Sequence, residues 1–515
     1  MRGDIDERLI ETDAWTDEMV GAAGIPVIDV PLVTVGGGIG SFTLFDTLRI
    51  YGVPRRAMAV LSPQDAPWQS YEYLTRVSQI PRTERLRSDS GGMPENIWGF
   101  PSYAVREAIA DKSLHPLWNV LAEPVFADYY TPRAGQVLAG MEREAKRIGF
   151  AQSLFKGQVR MVRKRRGGGY YTILTPPAGA TRTKRIAFRS TYVHIAIGYP
   201  GLRLLPDLQA YREKYRDPTR VVNAYEPHEH VYQALQRRPG TVMVRGSGIV
   251  ASRVLQRLID DRDRLGLHTQ ILHLFRTYVA GPHGSSVFMR RKGGDGWAYQ
   301  GFNWPKATWG GQLKTRLRKL EGRERAALLK TMGGTNTPAR KLWQRQLARG
   351  RAEGWYQILA GEARDLRPDR TRPGVVTTID PDRYAPLPFR PPERPFDMHA
   401  DYVIDCTGLE ADIREHRLLA DLLVHTGARR NPLERLDVEP TFELIGARSA
   451  PGRLYASGSA TLGGYYASVD SFLGLQYAAS EIADDLARLG FCRRLHALRS
   501  VHQWWLWMLN KKLPE

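Results

Sequence analysis

The stretch VPLVTVGGGIGSFTLFDTLRIYG, residues 30–52, decides the fold. VPLVTV is a short apolar run rich in Val without helical spacing, and it predicts a buried strand. Gly36-Gly37-Gly38-Ile39-Gly40-Ser41 follows at once, and then SFTLFDTLRIYG, whose Phe42, Phe45, Leu48 and Ile50 suit a helix ending at Gly52. A second strand, AMAVLS, completes a βαβ opening. The turn has the spacing G-x-G-x-x-S. Gly36 permits the tight strand-to-helix turn, Gly38 lets the backbone approach a pyrophosphate, and the small Ser41 permits close packing of helix on strand. The unpaired amides and positive dipole end of the helix then face the phosphates.

A second opening of the same kind lies at TVMVRGSGIVASRVLQRLIDDRDRLGLHTQILHLFR, residues 241–276. Its turn is Gly246-Ser247-Gly248-Ile249-Val250-Ala251, and the next strand runs into Arg276. A site selective for NAD would want an acid there for the ribose hydroxyls. An Arg offers a planar fork to a 2′-phosphate instead, which points to NADPH. A β-meander separates the two units, with strands GQVRMVR and GYYTILTP joined by a turn that carries the basic run Arg163 to Arg166 at its tip.

The 515 residues suggest about two to four domains. Lys and Arg number 74 against 54 Asp and Glu, a net charge of +20. These charges are dispersed and mixed, as in LKTRLRKLEGRERAALLK, so they read as solvated helix faces rather than as a nucleic-acid surface. Only Cys406 and Cys492 occur, which excludes a disulfide scaffold and a zinc knuckle. His228 and His230, at i,i+2, do not share a helical face, and His283 lies in a Gly-rich turn, so no metal site is expected. The N-terminus carries acids where a secretory signal needs a basic then apolar run, and no apolar stretch is long enough to span a bilayer. The expectation is a soluble cytoplasmic protein.

Outward from the two units, residues 1–28 form a polar arm that packs on something else or stays loose. Residues 29–200 form the first part of a dinucleotide-binding domain with a meander over about 155–198. Residues 201–408 form an NADPH-binding domain with a Trp- and Gly-rich insertion at 281–350, 409–490 return to the first domain, and 491–515 are an aromatic and basic tail. The fold class is therefore α/β, with two Rossmann-like dinucleotide-binding domains, the first discontinuous and the NADPH domain inserted into it.

This order of parts resembles the class B flavin monooxygenases, which include the lysine and ornithine N-hydroxylases, the flavin-containing monooxygenases and the Baeyer-Villiger enzymes. The resemblance covers roughly residues 30–490. It rests on the two glycine motifs and on Ala196-Ile197-Gly198 and Cys406-Thr407-Gly408, which look like the crossings between the two domains. It also rests on GYPGLRLLPDL, on VVNAYEPHEHVYQAL with its Tyr225, and on the terminal LYASGSATLGG. The resemblance implies FAD held by Gly36, Gly38, Gly40, Ser41, Ser62, Trp68, Arg76, Gly458 and Ser459. It implies NADPH held by Tyr225, Gly246, Ser247, Gly248, Ala251 and Arg276. The implied reaction is oxygen chemistry on a small organic substrate, with the catalytic residues and the oligomeric state left open.

The pattern departs from the family in three places. The second strand ends in Leu61-Ser62-Pro63, with Asp65 beyond it, where the family has an acid for the FAD ribose. The terminal Gly-Asp is Gly458-Ser459. In GGMPENIWGFP the position matching an Asn beside the flavin is Gly92, with Asn96 and Ser90 as the nearest polar replacements. A single-component halogenase, or a flavin-binding oxidoreductase or redox sensor without oxygen transfer, stays open beside the monooxygenase. Trp297, Trp304 and Trp309 would either wall an aromatic substrate pocket or pack structurally. The tail SVHQWWLWMLNKKL suits either a helix docked on the protein or peripheral contact with a membrane surface.

Overall fold

The computed structural model describes residues 3–88, 91–122, 130–199, 201–202, 204–276, 278–282, 293–299, 312–331, 337–338, 340–382, 385, 392–409 and 412–515. Three sheets of five or more strands organise them, beside a two-stranded ribbon of Gly293–Gly294 and Trp297–Ala298. The first is wholly parallel, in the order Arg453–Ala456, Tyr192–Ile195, Leu32–Val35, Met58–Ser62, Leu154–Lys156. Every residue of Leu32–Val35 and of Met58–Ser62 is buried, as a parallel sheet covered on both faces requires. The helix Ile39–Ile50 covers one face and packs against Phe472–Arg488 near the end of the chain. Ser471 starts the latter helix, its hydroxyl accepting from Gly474 N at 3.1 Å.

The second sheet is the meander Gln158–Arg165, Tyr170–Thr175, Ile186–Ser190. Two readings of this region are revised. The strands at its ends, Leu154–Lys156 and Tyr192–Ile195, belong to the parallel sheet, where Val193, His194 and Ile195 are buried while Leu154–Lys156 forms its partly exposed edge. The expected hairpin is formed, with Arg166 and Gly167 to Gly169 in its turn, but the rest of the basic run is not at the tip. Arg163 to Arg165 lie within the strand, and Arg163 is fully buried, its guanidinium pairing with Asp421 at 2.7 Å and donating to Ile10 O at 2.8 Å.

The N-terminal arm supplies both edges of this sheet. Ala14–Trp15 pairs with Gln158–Arg165 and Val27–Asp29 with Ile186–Ser190, both in parallel. Leu9, Trp15, Val20 and Ile25 bury against Tyr171, Ile173 and Ala187. The arm's acids meet the sheet's bases: Asp17 pairs with Arg165 at 2.5 Å and with Arg189 at 3.0 Å, and Asp29 pairs with Arg189.

The third sheet has the order Val221–Asn223, Tyr402–Asp405, Thr241–Arg245, Gln270–Phe275, Tyr356–Pro368, Val375–Pro381, Phe396–Ala400, parallel up to Tyr356–Pro368 and antiparallel beyond. The helix Ile249–Leu265 buries Val250, Ala251, Val254, Leu255, Leu258 and Ile259 against it. No helix among the described residues is long and apolar enough to cross a membrane.

Candidate functional site

The first glycine turn is built by contacts that exclude side chains. Gly36 has φ +121°, and a Cβ there would stand 2.2 Å from the Ala196 carbonyl oxygen. Gly37 has φ +61°, and its Cβ would collide with Ser62. Gly38 differs: a Cβ would meet nothing nearer than Pro67 O at 4.0 Å, so the turn keeps open space beside its backbone. Gly38 is also the N-cap of Ile39–Ile50, and no side chain caps that helix. Gly248 caps Ile249–Leu265 in the same uncapped way. The helices capped by Asp6, Thr16 and Ser471 satisfy their first-turn amides with a side-chain oxygen. The two glycine-started helices leave those amides for an anion.

Two of the expected FAD residues support the turn. Ser41 Oγ accepts from Gly37 N at 3.1 Å and from Thr34 Oγ1 at 2.9 Å. Ser62 Oγ donates to Gly36 O at 3.1 Å and accepts from Gln64 N at 3.0 Å. The chain from Ser41 continues inward. Thr34 Oγ1 lies 2.9 Å from His194 Nδ1, and His194 Nε2 lies 2.8 Å from Ser457 Oγ, next to Gly458. Burial pushes the imidazole of His194 down to about 3, so it is neutral and ties the first turn to the last.

A cavity of about 420 Å³ opens on this turn. Gly36, Gly38 and Gly40 line it from the first turn, and Gly458 and Ser459 from the last. Tyr225 and Ile249 reach it from the second nucleotide unit, and Phe472 closes another side from the start of its helix. Ser459 Oγ donates to Gly198 O at 2.6 Å, fixing the last turn to the domain crossing. Gln64, which the sequence reading passed over, also lines the cavity. Its Nε2 donates to Ser70 Oγ, and its Oε1 is buried with no partner among the described residues. The only signal for it in sequence is its place two residues beyond the strand end. Asp65, the acid nearby, is paired with Lys156 at 2.5 Å. Trp68 and Arg76 line an adjoining open groove that shares Gln64, Ser70 and Tyr71 with the cavity.

In the second unit Gly246 has φ +115°, and a Cβ would lie 3.0 Å from Cys406 O. Its own carbonyl lies 2.6 Å from Nε2 of the buried His273, whose ring burial pushes down to about 4. Ser247 is half-buried, whereas Ala251 is fully buried and packs the helix on the sheet. Arg276 is exposed at the end of Gln270–Phe275 and pairs with no described residue. Arg253 is committed elsewhere, to an ion pair with Glu84 that Arg340 shares at 3.1 Å.

The loop bearing Gly92 is not at this cavity. Gly92 has φ +68°, a Cβ would strike the Tyr103 ring at 2.3 Å, and its carbonyl accepts from Gln476 Nε2 at 2.9 Å. It lines a separate cavity of about 220 Å³, behind Phe472, with Asp46 and Glu144. Asn96 closes its own turn, Nδ2 donating to Phe100 O at 2.7 Å and Oδ1 accepting from Phe100 N at 2.8 Å. Neither can stand for the expected Asn: Gly92 has no side chain to donate, and the Asn96 amide is spent on Phe100. The segment that does reach the main cavity is Glu84 to Arg87. Ser90, His283, Trp304 and Trp309 lie outside the described residues. Trp297 is fully buried against Phe275 and Trp343 at ring distances of 5.3 and 4.7 Å, so its role is packing. No cluster of His, Cys, Asp and Glu among the described residues could hold a metal ion.

No family model and no curated protein sequence matches the chain. Solved structures do. An ornithine hydroxylase from Pseudomonas aeruginosa aligns at 16% identity over 90% of this chain and 99% of that one, with a TM-score of 0.59. An ornithine N-hydroxylase from Kutzneria sp. 744 aligns at 13% over 90% and 100%, with 0.64. A cadaverine monooxygenase from Erwinia amylovora aligns at 12% over 91% and 97%, with 0.63. At such identities the likeness speaks for the fold. The chain has the α/β architecture of the flavin-dependent N-hydroxylases, with Rossmann-like dinucleotide-binding units.

Proposed function

We propose that the chain is an FAD- and NADPH-dependent monooxygenase acting on a small organic molecule. The observation that carries this is the cavity where the uncapped helix at Gly38, the Gly458 turn and the start of the second glycine helix meet. Gly36, Gly38 and Gly40 would hold the FAD pyrophosphate through backbone amides. Gln64 Oε1 would accept from the ribose in place of the family's acid, with Trp68 and Arg76 beside the adenosine end. Gly458 and Ser459 would bring backbone amides to the ring. Tyr225, Gly246, Ser247 and Gly248 would hold NADPH, with Arg276 on its 2′-phosphate.

A bound flavin would supply the transfer of electrons from NADPH to oxygen, and the chain's own residues would supply placement, electrostatics and exclusion of water. The start of Phe472–Arg488 points a positive dipole end at the cavity, which favours negative charge developing on a ring held there. The fold neighbours support the choice of reaction, since they are ornithine hydroxylases and a cadaverine monooxygenase, and one was solved with FAD, NADP⁺ and ornithine. Primary amines are the first substrates to test. Asp470, which lines the cavity and accepts from Tyr199 OH at 2.6 Å, is a carboxylate that suits an ammonium group.

One observation favours a second reading, an NADPH oxidoreductase without oxygen transfer. The loop that should bring an amide donor to the flavin is turned away, with Gly92 and Asn96 both committed. The neighbours lend no support to a halogenase. Oxygen uptake with NADPH and a panel of ornithine, lysine and cadaverine separates the two readings. Hydroxylated amine in proportion to NADPH supports the monooxygenase, and peroxide alone with every amine supports the oxidoreductase.

A further inference from the structure

The C-terminal helix Ala497–Met508 is apolar on two faces, and among the described residues the body of the protein covers one of them. Trp507 is buried, with the guanidinium groups of Arg106 and Arg143 at 5.1 and 4.5 Å over its ring. Trp504 packs on Trp98 and Phe100, and Ser500 donates to Glu95 O. These contacts fix the inner face. The outer face carries Leu498, Val501, Trp505 and Met508, a stripe at i, i+3, i+7 and i+10, continued by Leu509. Leu498 is 81% exposed, Trp505 55% and Leu509 61%. Ring contacts extend the patch sideways, from Trp505 to Trp504 at 5.6 Å and on to Trp98, which with Ile97 is exposed as well.

The rim of the patch is mostly cationic, although Arg494 pairs with Asp484 at 2.7 Å and Glu515, which ends the chain, pairs with Arg55 at 2.8 Å. From residue 491 to 514 there is no acid, whereas Arg493, Arg494, Arg499, Lys511 and Lys512 are present, and all but Arg499 are exposed. Large apolar and Trp side chains on one outward stripe, ringed by cations, match the chemistry of a bilayer interface. The hydrocarbon boundary takes the stripe and anionic headgroups take the rim. A second copy of the chain would bring a like-charged rim against this one and is disfavoured.

We propose that this face docks the protein on an anionic lipid bilayer, lying on the surface without crossing it. The helix is already held in place by Trp504 and Trp507, so binding orders little that is not already ordered.

The test uses the full chain and sucrose-loaded vesicles of phosphatidylcholine, with or without about one third phosphatidylglycerol, in a sedimentation assay. The wild type should pellet with the anionic vesicles at low salt and bind roughly tenfold less at about 0.5 M salt or to neutral vesicles. Trp505→Glu and Leu498→Glu change exposed positions and should leave the melting temperature and FAD content intact while abolishing pelleting. The double variant Lys511→Ala with Lys512→Ala should weaken binding by roughly fivefold per residue. Failure of the wild type to bind anionic vesicles overturns the proposal, as does binding unchanged in Trp505→Glu. A dimer in sedimentation equilibrium that Trp505→Glu dissolves, with no lipid binding, would assign the face to a second copy instead.

Discussion

At the scale of single residues, the glycines of the first turn divide into two kinds that the motif alone does not distinguish. Gly36 is needed by the fold, because any side chain meets the Ala196 carbonyl and its φ is positive. Gly36→Ala should therefore cost about 1–3 kcal/mol of stability. Gly38 has an ordinary φ and open space, so Gly38→Trp should fold and melt like the cofactor-free wild type yet hold no FAD. Urea melts of both variants, set beside their flavin content, check this pair. Equal destabilisation of the two would mean that Gly38 is a packing position. His194 gives a second residue-scale prediction. Its folded-state pKa, about 3, lies below that of a free imidazole near 6.5, so the folded chain excludes a proton that the unfolded chain binds. The stability it contributes is complete above about pH 6.5 and is lost as pH falls toward 3, at a slope of order 1 kcal/mol per pH unit. His273, pushed down to about 4, adds to the same window. His194→Gln should flatten part of the fall in the urea midpoint between pH 6.5 and 5. A variant whose midpoint falls in parallel with the wild type would show that His194 is not the titrating group.

At the scale of elements, what was legible in the sequence and what was not separate along physical lines. The two βαβ openings could be read because a buried strand, a glycine turn and an amphipathic helix are each local patterns, and Leu32–Val35, Ile39–Ile50, Thr241–Arg245 and Ile249–Leu265 fall where those patterns place them. The arm could not. Its elements are two to six residues long, and its apolar residues Leu9, Trp15, Val20 and Ile25 keep no single period because their partners, Tyr171, Ile173 and Ala187, lie far along the chain. Arg163 was misread for the same reason: its charge is satisfied by Asp421, 258 residues away. Gly92 was misplaced because a match of letters says nothing of which way a loop turns. The arm carries a prediction. Trp15 is fully buried, and its Nε1 donates to Leu9 O at 3.0 Å. Trp15→Ala should cost about 3–5 kcal/mol and expose the meander's edges. Hydrogen exchange read by mass spectrometry should then show lost protection in residues 158–190 before the parallel sheet. Uniform loss over the whole chain would mean that the arm is part of one indivisible core.

At the scale of the whole molecule, two glycine-started helices aim uncapped N-termini at one region, and the largest consequence concerns which dinucleotide goes where. Arg276, at the end of its strand, pairs with no described residue, while Arg253 is held by Glu84. NADPH should reduce the bound flavin at lower concentration than NADH does. Arg276→Ala should erase about 1.5–3 kcal/mol of that preference. Anaerobic reduction rates against coenzyme concentration check it, and an unchanged preference would move the phosphate contact to residues outside those described, Arg290 and Arg291 first among them. Beneath that lies the claim on which every assignment depends, that the cavity at Gly38 and Gly458 is an FAD site. The most direct measurement is the identity and amount of flavin released when the purified full-length protein is denatured and the supernatant separated by chromatography. The account predicts FAD, approaching one per chain after incubation with excess FAD and removal of what is unbound. FMN alone, or a colourless protein that takes up no FAD, would contradict it.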